Sequence, residues 1–200
     1  GYTLNSRLVD SPRAYKTDNR IFGEQEIWKP KNYGNKLEGS VTLRSALVKS
    51  LNLPTIGLVE DLGPQRLINY SRKLGISATM DKNLTIGLGS FSVTLEEMVE
   101  SYGVLANQGQ RVDPVFVTKI EDTHGNILEE NRNLSEKIIS EETAFLVTDA
   151  MRDVVDHGTG VRAKAIGRPS AGKTGTTNDS KDAWYIGFIP QLLTGVYVGY

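Results

Sequence analysis

The clearest periodicity in the chain lies in "TLEEMVESYGVLANQG", residues 94–109, where Leu95, Met98, Val99, Tyr102, Leu105 and Ala106 recur at helical spacing. Thr94 with Glu97 forms a capping-box signature at its start, and Gly109 closes it. A second helix is predicted from "LRSALVKSL", capped by Thr42, with Leu43, Ala46, Leu47 and Leu51 on one face and an end before Pro54. That places Ser50 and Asn52 at a helix end. Pro54 and Pro64 suit the first turns of two further short helices, closed by Gly63 and Gly75. "SEETAFLVTDAMRDVV" reads as another helix, with Ser140 as cap and acidic residues in its first turn. Between the two longest helices, "VFVTKIEDTHGNILEE" predicts a hairpin turning at Gly125-Asn126.

The pattern changes after the glycine-broken "DHGTG": three strand-like runs follow, at 170–177, 183–189 and 192–200. Residues 1–39 show no period, and their aromatics, Tyr15, Phe22, Trp28 and Tyr33, stand isolated among Asn, Lys, Pro and Gly, so extended or looped chain is expected there. Helices first and consecutive strands last indicate an α+β fold with an antiparallel sheet flanked by helices, rather than alternating βαβ units. Trp184 and Tyr185 lie in an almost wholly apolar run and are expected in the core.

Composition narrows the chemistry. The 200 residues suit one domain, residues 1–200. With 23 Lys+Arg against 24 Asp+Glu, nothing suggests a nucleic-acid partner or an anionic membrane. Cys is absent and the two histidines, His124 and His157, lack ligand spacing, so neither thiolate catalysis nor a metal site is expected. No run reaches the ~18 apolar residues of a membrane-spanning helix. The chain begins at Gly1 and stops inside the strand-like "LLTGVYVGY", which points to a piece of a larger protein, incomplete at both ends.

One stretch, "GRPSAGKTGTTNDSKDAWYIGF" at 167–188, carries two overlapping motifs. Gly167 to Thr174 fits the phosphate-loop pattern G-x-x-x-x-G-K-[ST]. That motif needs a buried strand before it and a helix directly after, so that backbone N–H groups converge on the phosphates. Neither flank fits: "VRAKAI" is short and charged, and "GTTNDSKD" cannot open a helix. The nearest Walker B imitation, "AFLVTD" ending at Asp149, precedes the loop and has helical period. Lys173 to Thr176 reads instead as K-T-G-T on a strand, offering a cation, hydroxyls and a backbone N–H to one substrate, with β-branched threonines favouring the extended chain. A plain solvated hairpin is the bland alternative.

Context decides between them. A motif set of S-x-x-K, an S-D-N type triplet and K-T-G marks the penicillin-recognising serine enzymes, and Ser50-Leu51-Asn52 supplies an S-x-N triplet upstream of K-T-G. With "GSVTLRSALVKSLNLPTIGLVEDLG", "GLGSFSVTLEEMVESYGVLANQG", "VVDHGTGVRAKA" and "SAGKTGTTNDSKDAWYIGFIP", the chain resembles the transpeptidase domain of class A penicillin-binding proteins from roughly Asp10 to Tyr200. The resemblance implies a β-lactamase/penicillin-binding fold and peptidoglycan cross-linking. In that reaction a serine attacks the D-Ala-D-Ala end of a stem peptide, D-alanine leaves, and the acyl group passes to an amine. It also implies β-lactams as ligands, no cofactor, and a bacterial location outside the cytoplasmic membrane. Carried over by motif, Ser50 would relay protons and Asn52 would hold the substrate amide. Lys173 would supply positive potential, and Thr174 and Thr176 would offer hydroxyls to the substrate carboxylate. The Thr176 N–H would form half of the oxyanion hole, Gly175 would leave room for the substrate backbone to approach closely, and Thr177 would be a further substrate-binding residue on the same strand. The bland readings are helix caps for Ser50 and Asn52 and a surface position for His157; Trp28 is undecided.

One element of the set is missing. The only S-x-x-K spacing, Ser170 to Lys173, is a decoy, because residues three apart on a strand face opposite sides. The nucleophile's S-x-x-K is therefore expected just N-terminal to Gly1, in the same chain or on a separate fragment. The alternatives are a β-lactamase or D,D-carboxypeptidase of the same fold, a phosphate-loop nucleotide binder, and a non-catalytic binder of cell-wall peptide.

Overall fold

The computed structural model describes residues 1–21, 24–131, 134–177 and 181–199; the expectations placed on Phe22 and Tyr200 lie outside these. The three predicted C-terminal strands form one antiparallel sheet: β9 (Ala171–Thr176), β10 (Ala183–Ile189) and β11 (Leu192–Val198), in the order β11-β10-β9. Lys173 lies opposite Ile186 and Gly175 opposite Trp184. Among the described residues one edge of β9 is therefore paired and the other open.

The helices are α1 (Leu43–Val48), α2 (Asn52–Leu62), α3 (Pro64–Lys73), α4 (Leu95–Ala106) and α5 (Glu141–His157). Each expected cap forms. The Thr94 hydroxyl accepts from the Glu97 N–H while the Glu97 carboxylate accepts from the Thr94 N–H at 2.9 Å, and the Ser140 hydroxyl accepts from the Thr143 N–H. The hairpin forms as β6 (Lys119–Glu121) and β7 (Ile127–Glu130). At its turn the Asp122 carboxylate accepts from the backbone N–H groups of His124 and Asn126.

Three expectations need correction. The helix opened by Thr42 does not run on toward Pro54: it ends at Val48, the chain turns through Ser50 at φ 55°, and α2 starts at Asn52 with Pro54 in its first turn. Residues 1–39 are not mainly loop. They hold β1 (Arg7–Asp10), paired with β4 (Gly39–Thr42), and the β2–β3 pair (Tyr15–Ile21 with Glu24–Trp28). These strands escape pattern reading because little of their surface is buried: β1 and β4 together bury only Leu8, Asp10 and Val41. The remaining pair, β5 (Gln110–Val112) with β8 (Ser135–Lys137), was equally silent in the sequence. Finally, Trp184 and Tyr185 are half-buried, and Ile186 and Phe188 fill the core in their place. Trp184 packs against Tyr197 with ring centroids 4.6 Å apart, while Trp28 packs on Tyr15 at 5.8 Å, a structural role.

An apolar cluster and an ion-pair set hold α1, α5 and β9 together. Met151 of α5 meets Ala171 and Phe188 of the sheet, with Leu47, Tyr102, Val147 and Leu193 around them. At about 25 cal/mol per Å² of apolar area, this cluster holds β9 firmly on α5. Arg44 of α1 then ties into α5 through 2.5 Å contacts to both Asp149 and Asp153. Asp149, the Walker B imitation, is thus engaged in an interhelical ion pair.

Candidate active site

The turn between α1 and α2 faces the open edge of β9, and there the two short motifs meet. Lys173 Nζ donates to Ser50 Oγ at 2.7 Å, across 123 residues of sequence, and also to its neighbour's carbonyl, Thr174 O, at 2.9 Å. Among the described residues no carboxylate lies within ion-pairing distance of this ammonium, and burial pushes it down from 10.5 to about 8. At neutral pH the group is cationic, yet it releases its proton far more readily than a surface lysine does.

Ser50 is exposed and adopts a left-handed backbone conformation rare for a residue with a side chain. Asn52 is half-buried at the start of α2; its Nδ2 donates to Lys31 O at 2.9 Å. With the amide's donor side anchored, its carbonyl oxygen is the side left to accept from an N–H.

The strand supplies the opposite wall. Thr174 Oγ1 shares a 2.7 Å hydrogen bond with Thr159 Oγ1. Thr176 is exposed. Successive N–H groups of an extended chain point to opposite edges. Since the Thr177 N–H bonds Asp182 O on the β10 side at 3.1 Å, the Thr176 N–H points to the open edge. Thr177 itself is engaged in that turn, accepting from the Asp182 N–H at 2.9 Å, and is not brought to the Lys173–Ser50 contact. At Gly175 the constraint is cross-strand: a Cβ there would stand 3.3 Å from Trp184 Cβ.

Sequence reasoning missed Thr159. It sits just past α5, where "HGTG" drew attention to His157 instead. The His157 side chain is 65% exposed and 3.9 Å from Asp153 on its own helix, a surface position. Thr159 reaches the site because Gly158 allows the chain to pass Val48 closely: a Cβ on Gly158 would come within 2.5 Å of Val48 O. The glycine flanks were the available signal.

The competing motif readings fail on geometry. Lys173 and Thr174 lie within a strand rather than at a helix start, so no fan of helix N-terminal amides surrounds them. Ser170 Oγ is buried without a hydrogen-bond partner among the described residues, while the Lys173 amine donates to Ser50.

Comparison with known proteins bears on the family and the fold. The profile of the family described as "Penicillin binding protein transpeptidase domain" matches residues 3–200. Penicillin-binding protein 1A of Aquifex aeolicus is 39% identical over 200 residues, covering 100% of this chain and 27% of that protein. Its counterpart in Rickettsia bellii is 37% identical over 196 residues, covering 86% of this chain and 25% of that protein. The chain therefore spans about a quarter of the length of these relatives. Among solved structures, penicillin-binding protein 1A from Haemophilus influenzae superposes with a TM-score of 0.91 at 27% identity, over 100% of this chain and 35% of that one. PonA1 from Mycobacterium tuberculosis in complex with penicillin V gives 0.83 at 28% identity, over 100% of this chain and 55% of that one.

Proposed function

This chain belongs to the penicillin-binding protein transpeptidase family, and from that premise we propose that it forms one side of the active site of a serine D,D-transpeptidase that cross-links peptidoglycan. The enzyme works on the outer side of the bacterial cytoplasmic membrane and is acylated by β-lactams. Its nucleophile is the serine of an S-x-x-K segment outside residues 1–200. That serine adds to the carbonyl of the penultimate D-alanine, and the C–N bond to the terminal D-alanine breaks as its amine takes up a proton. The acyl-enzyme then passes its acyl group to an acceptor amine, which loses a proton as the serine regains one.

The 2.7 Å contact between Lys173 Nζ and Ser50 Oγ carries this reading. It joins the two motifs through a proton-bearing pair at an exposed edge, where Ser50 can pass a proton to the leaving amine. The Lys173 cation and the Thr174 and Thr176 hydroxyls fit the terminal carboxylate, and the Thr176 N–H fits one arm of an oxyanion hole. Asn52, anchored through its Nδ2, offers its carbonyl oxygen to the substrate amide N–H. Gly175 keeps the strand narrow beside Trp184.

Fluorescent penicillin applied to the full-length protein, followed by peptide mapping of the labelled band, tests the assignment. The adduct is expected on a serine of an S-x-x-K segment outside these 200 residues and should be strongly diminished in Lys173→Ala. An adduct on Ser50 or Ser170, or no adduct on the wild-type protein, would overturn it.

A further inference from the structure

The most deeply buried polar pair described in the molecule lies behind Ser50 and Asn52 and belongs to neither motif. Asp10, at the end of β1, is 1% exposed, and Asn32, in the chain between β3 and β4, is 5% exposed. Asn32 Nδ2 donates to Asp10 Oδ1 at 2.7 Å and to Lys36 O at 2.9 Å, and the Glu38 N–H donates to Asp10 Oδ2 at 2.8 Å. The other end of the same amide serves the site: Asn32 Oδ1 accepts from the N–H groups of Asn52, at 2.9 Å, and Leu53, at 3.1 Å.

Those two amides open α2, whose own N-cap residue, Leu51, makes no side-chain cap. Asn32 thus caps the helix from about 20 residues upstream, satisfying donors that a Ser or Asp usually satisfies in place. The cap is held rigidly, because Asn32 is bound at both ends and its partner carboxylate is buried with each oxygen occupied. Lys31, the residue before it, takes the Asn52 side chain. Ser50 stands two residues ahead of this anchor, in a left-handed conformation that relaxes unless its surroundings hold it.

We infer that Asp10 and Asn32 are positioning residues for acyl transfer: through the cap on α2 they set where Ser50 and Asn52 stand against Lys173. The inference rests on the transpeptidase reading and concerns residues that touch no substrate. Misplacing a catalytic group by about 1 Å costs on the order of 100-fold, and it does so in the chemical step rather than in prior binding.

The test uses the full-length protein and a chromogenic cephalosporin, separating the noncovalent dissociation constant from the acylation rate constant, with amide exchange of Asn52 and Leu53 read in parallel. Asn32→Leu should slow acylation on the order of 10- to 100-fold while the dissociation constant stays within about threefold, and should speed exchange at both amides. The exchange of side chains, Asp10→Asn with Asn32→Asp, keeps an oxygen on the α2 amides, an acceptor for the Glu38 N–H and a reversed bond between residues 10 and 32, and gives up the Asn32 bond to Lys36 O. It should acylate at least about threefold faster than either single variant. Should Asn32→Leu not fold, Asp10→Asn alone against the exchanged pair carries the comparison, with the single variant expected to be the slower. Acylation by a folded Asn32→Leu protein within about threefold of wild type would overturn the inference. So would an exchanged pair with wild-type melting that is as slow as the single variants. A wild-type protein that is never acylated would instead remove the underlying transpeptidase reading, leaving the exchange data to report on the cap alone.

Discussion

The two walls of the cleft are built by different means. On one side Lys173, Thr174 and Thr176 sit on β9, whose backbone is laddered to β10 and whose Ala171 is packed against Met151 and Phe188. On the other side Ser50 occupies a turn with no ladder of its own, steadied by the cap that Asn32 places on α2. The sheet wall draws its rigidity from apolar burial spread over many contacts, whereas the turn wall depends on a few side-chain hydrogen bonds. Damage should therefore be graded on the first and abrupt on the second.

The largest separation of function from stability is expected at Lys173, which sits on the robust wall without supporting it. Lys173→Ala in the full-length protein should slow β-lactam acylation by about two to four powers of ten, with little loss in the domain's melting temperature. Stopped-flow acylation beside thermal melts checks both. The converse variant is Phe188→Ala, which removes a buried ring on β10 opposite Ala171 of the same sheet. It should cost about 3–5 kcal/mol of stability by denaturant unfolding, while the acylation rate of the remaining folded protein changes far less. If Phe188→Ala proved as inactive as Lys173→Ala yet equally stable, the contrast between the walls would collapse.

Proton linkage sharpens the comparison. Because burial lowers Lys173 from 10.5 to about 8, its cation is lost as pH rises through about 8. Acylation by a carboxylate-bearing penicillin should then fall along an alkaline limb with that apparent value, and the limb should be absent in Lys173→Arg, however slow that variant is. The sign for folding is opposite. Between about 8 and 10.5 the unfolded chain holds the proton that the folded chain has released, so stability rises with pH across this window. Lys173→Met should lack the rise. A smaller effect is expected at Thr159, where Thr159→Val removes the hydroxyl that orients Thr174 and should reduce the acylation rate by about fivefold to tenfold.

The smallest effect belongs to a control away from both walls. Glu97 is held down at about 2, chiefly by the Ser77 hydroxyl and then by the Thr94 N–H. Its lowered value means that its contribution is present above pH 4.5 and lost as pH falls through about 2. Glu97→Gln should lower stability by about 1 kcal/mol or less at pH 7, discounted for solvent exposure, and leave acylation unchanged.

The same contrast explains how much was legible in the sequence. The sheet wall could be read because pattern and motif coincide there: β10 is an apolar run, β9 carries β-branched threonines around Lys173-Thr174-Gly175, and the α4 and α5 caps follow local rules. Ser50 and Asn52 were found by motif alone, and the break at Val48 was missed because Leu51 continues the apolar period of α1 while belonging to the turn. Asp10 and Asn32 gave no signal. A distant cap depends on three segments meeting in space, and an Asp followed much later by an Asn has no spacing rule. Thr159 was half visible, its glycines marking a close approach without saying which side chain would arrive at the site.

The most direct measurement of the joined walls is a double-mutant cycle on the acylation rate of the full-length protein, using Lys173→Ala, Ser50→Ala and the pair together. Two residues acting as one proton-carrying unit lose most of their effect when either is removed, so the double variant should be only about threefold slower than the slower single one. If instead the two losses multiply, giving a double variant slower than either single by the full product, the 2.7 Å contact between Lys173 and Ser50 is not the working core of this active site.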